Sequence, residues 1–330
     1  MELLMRRAFE TDVSDIHCLA GEPPTFRHHG HLARLEGAGD LTATDTERLV
    51  REIAPERALM ELEEVQGADF GYAFEDKCRF RVAAFRQKET FGLSLRLIPH
   101  RLLTFQQLGL AEDRILPILN TQRGLVLVTG PTGSGKTTTL ASMLDWINAN
   151  LEKHIITIED PIEYFHYPRK GIITQREVGV DVPTFAEGTM RAMRMDPDVI
   201  LVGEMRDLTT IQAAITAAET GHLVFGTLHT TGATRTVERI VDVFPTAQQE
   251  QIRTQLSGNL LAIISQLLLP RKEGSGRIAA FEIMVANSAI RNLIRERKPH
   301  GIFSAIQTGS KEGMQTLDQH LLALYEKGLL

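Results

Sequence analysis

The chain has 330 residues, 43% of them hydrophobic and 24% charged, a size and composition that suggest two globular domains rather than one. Its 26 Gly and 13 Pro are an ordinary share, which excludes collagen-like and disordered classes. The 36 Lys and Arg against 42 Asp and Glu leave a net charge of -6, so no overall basic field draws the chain to nucleic acid or to an anionic bilayer.

At the start, Met1 to Ala8 carries Glu2, Arg6 and Arg7 and has no apolar export-signal core. Cys18 and Cys78 are the only cysteines, too few for a disulfide framework or a four-cysteine zinc site, and they point to a cytoplasmic protein. His28, His29 and His31 sit around Gly30 with no cysteine close by, and read as a polar turn rather than a metal cluster. From Thr42 to Glu64, Leu49, Val50, Ile53, Leu59 and Leu62 recur at helical spacing, with Pro55 separating two helices. Asp69 to Phe74, Arg79 to Phe85 and Gly92 to Ile98 alternate apolar and polar residues as half-buried antiparallel strands do, which puts Arg79, Arg81, Arg86 and Arg96 on strands. Residues 1–98 therefore read as a small α+β domain. The stretch 99–111, with Pro99, Gln106, Gln107 and Gly109, reads as a linker and hinge, and 112–330 as a second domain.

The second domain has another rhythm. Leu125 to Val128, His154 to Ile158, Val199 to Val202 and Leu223 to Thr227 are short, nearly continuous apolar runs between helical patterns, as parallel strands buried on both faces require. Leu260 to Leu269, interrupted by Ser265 and Gln266 and stopped by Pro270, is too short to cross a bilayer and reads as a buried helix. A turn at Glu273 to Gly276 leads into a strand at Ile278 to Ile283 and then into helices. The fold class is thus α/β, with an α+β domain in front.

Gly130-Pro131-Thr132-Gly133-Ser134-Gly135-Lys136-Thr137 fits the phosphate-loop pattern in full, between the strand ending at Val128 and a helix expected from Thr138 to Asn148. Its glycines let backbone N–H groups converge on phosphate oxygens, Lys136 neutralises phosphate charge, and the Thr137 hydroxyl is a ligand for Mg²⁺. After the next strand, Glu159, Asp160 and Glu163 form an acidic constellation; a carboxylate there can activate the water that attacks the γ-phosphate, the plain alternative being a solvated turn capped by Asp160. Asp198 to Glu204 is an apolar strand ending in an acid, the place of the Mg²⁺-handling carboxylate, but Gly203 stands where an aspartate is usual, so Glu204 must serve. His222 precedes and His229 follows the strand at Leu223 to Thr227. His229 falls at the end where a phosphate would sit, and His222 reads as readily as a satisfied core or capping histidine as a functional one.

With the phosphate loop, Thr157 to Tyr164, Leu201 to Asp207 and the two-histidine strand in this order, the chain resembles the secretion-superfamily ATPases, over nearly its whole length. Ala289-Ile290-Arg291-Asn292-Leu293-Ile294-Arg295-Glu296 resembles the C-terminal signature of the branch that retracts type IV pili in twitching motility. In that superfamily Gly-Glu is the habit where Gly203-Glu204 stands, and assembly ATPases usually carry a zinc site and a further N-terminal domain. The resemblance implies a PAS-like N-terminal domain, a RecA-like P-loop domain with C-terminal helices, a homo-hexamer with ATP between the two domains, Mg²⁺ as cofactor, and the inner-membrane platform protein of the pilus machine as partner at the cytoplasmic face. It implies that Gly130 to Thr138 bind ATP, Lys136 and Thr137 hold phosphate and Mg²⁺, Glu163 is the base with Glu159 beside it, Glu204 is the acid near the metal, and His229 senses the γ-phosphate. Arg81 and Arg96 match the N-terminal arginines of the family, Arg79 and Arg123 less well. In the signature, Ala289, Ile290, Leu293 and Ile294 form an apolar stripe, and Arg291, Arg295 and Glu296 are expected to face away and couple hydrolysis to retraction. The rivals are a pilus assembly or secretion ATPase of the same superfamily, a RecA-like nucleic-acid motor, and a module that binds ATP without turnover.

Overall fold

The computed structural model describes residues 1–11, 13–28, 30–75, 78–98, 102–274 and 276–330. Its contacts group Met1–Arg101 with Pro161–Phe165 in one unit, and Leu102–Asp160 with His166–Leu330 in a second. His29 and the start of the expected linker, Pro99 to Arg101, lie outside the described residues.

The first unit runs α1 (Glu2–Glu10), β1 (Asp15–Leu19), β2 (Thr25–His28), β3 (His31–Arg34), α2 (Ala43–Ile53), α3 (Glu56–Val65), β4 (Gly67–Phe74), β5 (Cys78–Gln87) and β6 (Thr90–Ile98). Its strands pair antiparallel in the order β3-β2-β1-β6-β5-β4. Thr42 starts α2 with a reciprocal capping box to Asp45, and Pro55 separates α2 from α3 by fixing the N-cap of the latter. Phe70, Phe80, Val82, Leu93 and Leu95 point from the strands into a core shared with Leu49, Val50, Ile53 and Leu62 of the helices.

The second unit runs α4 (Phe105–Leu108), α5 (Glu112–Leu119), β7 (Gly124–Thr129), α6 (Lys136–Asn150), β8 (His154–Glu159), β9 (Ile172–Glu177), α7 (Phe185–Ala192), β10 (Val199–Val202), α8 (Leu208–Glu219), β11 (Leu223–Leu228), α9 (Ala233–Asp242), α10 (Thr246–Asn259), β12 (Leu260–Pro270), β13 (Arg277–Val285), α11 (Ser288–Arg295), α12 (Gly301–Thr308) and α13 (Leu317–Glu326). The sheet order is β13-β12-β7-β11-β10-β8-β9, all neighbours parallel except β13 on β12. Alternate residues serve opposite faces. Leu125, Leu127, Ile156, Ile200 and Val224 pack with α8 to α12, while Val126, Val128, Ile155, Leu201 and Phe225 pack with α4 to α6. Double-sided burial is why these strands read as unbroken apolar runs.

One expectation is corrected. Leu260 to Leu269 is not a helix but most of β12, parallel to β7 on one side and antiparallel to β13 on the other. A short apolar run has no periodicity that separates a buried strand from a buried helix, and here the partner strands decide. The polar stretch expected to be linker contains α4, whose Thr104 and Gln107 form a capping box and whose Phe105 and Leu108 are buried in the second unit's core.

Near the C-terminus, Ile290 and Ile294 of α11 are fully buried, whereas Ala289 is exposed. Arg291 does not face solvent as expected. Its Nη1 donates to the carbonyls of Ser257 and Gly258, each at 2.6 Å, and its Nε to that of Ala286 at 2.9 Å. The first two belong to the last turn of α10, where helical carbonyls have no intrahelical donor, so this guanidinium closes the helix from outside. Arg291→Ala is therefore expected to destabilise the protein by about 2 kcal/mol, the scale of hydrogen bonds to a charged donor. Arg295→Ala, at an exposed position, should change stability by less than ~0.5 kcal/mol. Denaturant unfolding of the two variants checks this, and equal losses would make Arg291 an ordinary surface residue.

Candidate active site

The carboxyl ends of β7, β8, β10 and β11 face one edge of the second unit's sheet, where an open parallel sheet places ligands. There β7 leads through Gly130 to Gly135 into α6. Gly130, Gly133 and Gly135 have φ values of 145°, 77° and 88°, which disfavour any side chain and turn the loop back on itself above the N-terminus of α6. Lys136 Nζ donates to the carbonyls of Gly130 at 2.8 Å and Pro131 at 3.1 Å, which holds its charge over the loop. Buried Thr129 and Ser134 hydroxyls find no hydrogen-bond partner among the described residues, and Thr137 is half-buried in the first turn of α6. A concave loop with a held lysine and spare hydroxyl groups fits a phosphate chain.

Glu204 follows β10 at 19% side-chain exposure and meets Arg206 Nε, which donates to Oε1, and His229 Nε2, 2.6 Å from the same oxygen. The other ring nitrogen of His229, Nδ1, is 3.5 Å from Thr132 Oγ1, so the imidazole at the end of β11 spans the phosphate loop and the acid after β10. An open cavity of about 360 Å³ beside them is lined by Arg206, His229 and Arg239 among others. Thr137 Oγ1 and the Glu204 carboxylate are hard oxygen donors of the kind Mg²⁺ takes. Gly203 has a local reason. A Cβ there would lie 2.9 Å from the carbonyl oxygen of Ile158 and 3.3 Å from the Phe185 ring, so an aspartate cannot occupy the position without moving β8.

The acidic constellation is divided. Glu159 ends β8 and is buried, its Oε1 accepting from Thr157 Oγ1 at 2.7 Å and from Gln175 Nε2 at 3.1 Å. Glu163 lies in Pro161–Phe165, the segment grouped with the first unit, where the Arg79 guanidinium stacks 4.2 Å from the centre of the Phe165 ring. Gly71 makes room for that arginine, since a Cβ would sit 2.3 Å from Arg79 Nη2. Arg81 is exposed on β5 directly opposite Arg96 on β6, and Arg96 Nε donates to Asp15 Oδ1 at 2.9 Å. Like charges facing each other across strands oppose folding, and among the described residues Asp15 gives Arg96 a carboxylate that offsets part of that cost. Arg123 and His222 stand before β7 and β11, at the sheet edge away from the phosphate loop, and His222 Nδ1 is bonded to the Ala217 carbonyl at 2.8 Å. Among the described residues no group of three His, Cys, Asp or Glu is placed to hold a metal.

Residues the motifs do not mark also shape this edge. Ser265 and Glu282, opposite each other on β12 and β13, accept from the N–H groups of Gly232 at 2.9 Å and Ala233 at 2.7 Å. Gly232 has no side chain to cap α9, so the hairpin caps it and holds the loop that follows His229. The signal was present in the sequence as Ser265-Gln266, two polar residues inside an apolar run, which must find buried partners.

A buried parallel sheet with a phosphate loop after one strand and an acid and a histidine after its neighbours defines a RecA-like P-loop ATPase. The chain belongs to the family described as Type II/IV secretion system protein, which it matches over residues 2–328. It is 50% identical over 317 residues to the "Type IV pilus retractation ATPase PilT" of Pseudomonas aeruginosa, covering 96% of this chain and 91% of that protein. It is 47% identical over 307 residues to the twitching motility protein of Neisseria gonorrhoeae, covering 93% and 82%. Among solved structures, that of the pilus retraction motor PilT with bound ADP matches with a TM-score of 0.92 at 47% identity, over 100% of this chain and 94% of that one.

The Glu282 carboxyl is raised above the ordinary glutamate range, first by burial and further by the Asp318 charge, against the N–H groups of Ala233 and Leu317. A raised carboxyl binds its proton more tightly folded than unfolded. Its contribution to stability is therefore full below about pH 4.3 and is lost as pH rises through the folded value. Glu282→Gln removes that loss while still accepting from Ala233. The melting temperature of this variant minus that of the parent should be more positive at pH 8 than at pH 5, and a difference independent of pH would show that Glu282 is not held raised.

Proposed function

We propose that this ATPase is the motor that retracts and disassembles type IV pili, working as a homo-hexamer at the cytoplasmic face of the inner membrane against the platform protein of the pilus machine. The observation that carries this reading is the 50% identity to a pilus retraction ATPase across nearly the full length of both chains. A phosphate loop with every signature residue agrees with it. No helix among the described residues is long and apolar enough to cross a membrane. The division into a 1–98 domain, a 99–111 linker that carries α4, and a 112–330 catalytic domain is part of the proposal, since hydrolysis produces force only if a subunit differs in shape with ATP and with ADP.

In this reading the loop N–H groups of Gly133 to Thr138 and Lys136 bind the phosphates and orient the γ-phosphate. Bound Mg²⁺ supplies charge neutralisation at the phosphates, with Thr137 and Glu204 as its holders on this chain. Glu163 takes the proton of the attacking water, Glu159 supports the acidic segment, and His229 links the presence of a γ-phosphate to Glu204 and the loop. Arg81 and Arg96 supply guanidinium charge to the transition state.

Phosphate release and particle mass, each measured with ATP, test the reading together. A monomer without turnover would remove it, and stimulation by single-stranded DNA would favour a nucleic-acid motor. Lys136→Ala should abolish nucleotide binding, and Glu163→Gln should bind ATP and hydrolyse it ~10²-fold more slowly. Arg81→Ala and Arg96→Ala should each cost ~10³-fold in turnover if they are arginine fingers. Wild-type rates in the Glu163 variant would pass the base to Glu159 or Glu204.

With Arg291 turned inward, coupling by the α11 signature falls to exposed Arg295 and Glu296. Arg295→Ala is expected to keep ATPase activity at normal protein level and to lose pilus retraction in cells. Retained retraction would leave α11 a structural helix.

A further inference from the structure

Gln266 on β12 is 1% exposed, one of two adjacent polar residues inside an apolar strand, and the reaction as described gives it no part. It touches the phosphate loop at two places and the helix that follows at a third. A Cβ on Gly130 would lie 2.2 Å from the Gln266 carbonyl oxygen, so the first loop glycine rests on the Gln266 backbone. A Cβ on Gly135 would lie 2.9 Å from Gln266 Nε2, so the last loop glycine rests on its side-chain amide. Beyond the loop, Thr139 Oγ1, fully buried in the first turns of α6, donates to Gln266 Oε1 at 2.7 Å.

The reach follows from strand length. β7 ends at Thr129, paired with Ser265, while β12 continues to Pro270. Gln266 is therefore the first β12 residue beyond the end of β7, level with the point where the loop leaves the sheet. A loop with three positive-φ glycines loses much backbone entropy on taking one shape, a cost that contacts with a fixed neighbour offset. Gln266 on β12 is such a neighbour to both ends of the loop and to the following helix.

We propose that Gln266 is a positioning residue for nucleotide binding: through Gly130, Gly135 and Thr139 it holds the phosphate loop in its anion-binding shape before ATP arrives. The proposal rests on reading Gly130 to Thr137 as the ATP loop. It places no Gln266 atom on the nucleotide, so the effect is on affinity, through the loop, for ATP and ADP alike.

The test uses the full chain, with steady-state ATPase kinetics and ADP titration of Gln266→Leu, Thr139→Val and Thr139→Ser. Gln266→Leu should raise the KM for ATP and the Kd for ADP by about tenfold, the change that ~1.4 kcal/mol gives, while kcat at saturation stays within about threefold. Thr139→Val breaks the same hydrogen bond from the other side and should raise both constants several-fold, and Thr139→Ser, which restores the hydroxyl, should return them to the parent values. A lowered melting temperature with unchanged KM and Kd would make Gln266 a core residue only and overturn the proposal. If Gln266→Leu does not fold, the two Thr139 variants decide the matter alone. ADP binding by the parent with unchanged variants removes this inference and leaves the loop reading; no ADP binding by the parent removes both.

Discussion

Strands buried on both faces leave their ends as the place where polar groups can meet solvent or ligand. In the second unit β7, β8, β10 and β11 carry apolar residues on alternate faces into two cores, and each changes character at its carboxyl end: Thr129 and the glycine loop, Glu159, Gly203-Glu204, His229. Placing these ends side by side costs close contacts and buried polar groups. The hydrogen bonds from Thr157 and Gln175 to Glu159, and from Thr227 Oγ1 to the Gly203 carbonyl at 2.6 Å, answer that cost one group at a time.

The same crowding explains the unusual acid. Parallel strands β8 and β10 approach closely enough at their ends that the Gly203 N–H donates to the Ile158 carbonyl at 2.8 Å, and no side chain fits there. The carboxylate moves one residue on, to Glu204, where it is met by Arg206 and His229. An acid held this way is bonded to the histidine whose other ring nitrogen stands 3.5 Å from the Thr132 hydroxyl of the phosphate loop.

The β12–β13 hairpin is the other half of this arrangement. Consecutive residues Ser265 and Gln266 reach opposite ways, one to the loop after His229 and the other to the loop before α6. Glu282 backs the first of these contacts from β13. At the far end of the hairpin, Arg291 fastens α11 to the end of α10, the helix from which β12 starts. The nucleotide edge and the C-terminal helices are thus joined by one strand and its polar residues.

The sequence alone determined what depends on local order. The phosphate loop is a contiguous pattern in which each residue type has a physical task, the parallel strands announce themselves as apolar runs, and the alternation in β4 to β6 marks an antiparallel sheet. The acid and the histidine were legible because each follows a recognisable strand. The nature of β12 was not, because a ten-residue apolar run hides its period and only pairing with β7 and β13 makes it a strand. The direction of Arg291 was not, because a long cation on an amphipathic helix can reach past its own face to carbonyls far away in sequence. Gln266, Ser265 and Glu282 are polar residues whose partners lie on other elements, at separations no local pattern records. Hydrogen bonds of buried groups are settled by which strand ends meet, and that is a property of the packed sheet.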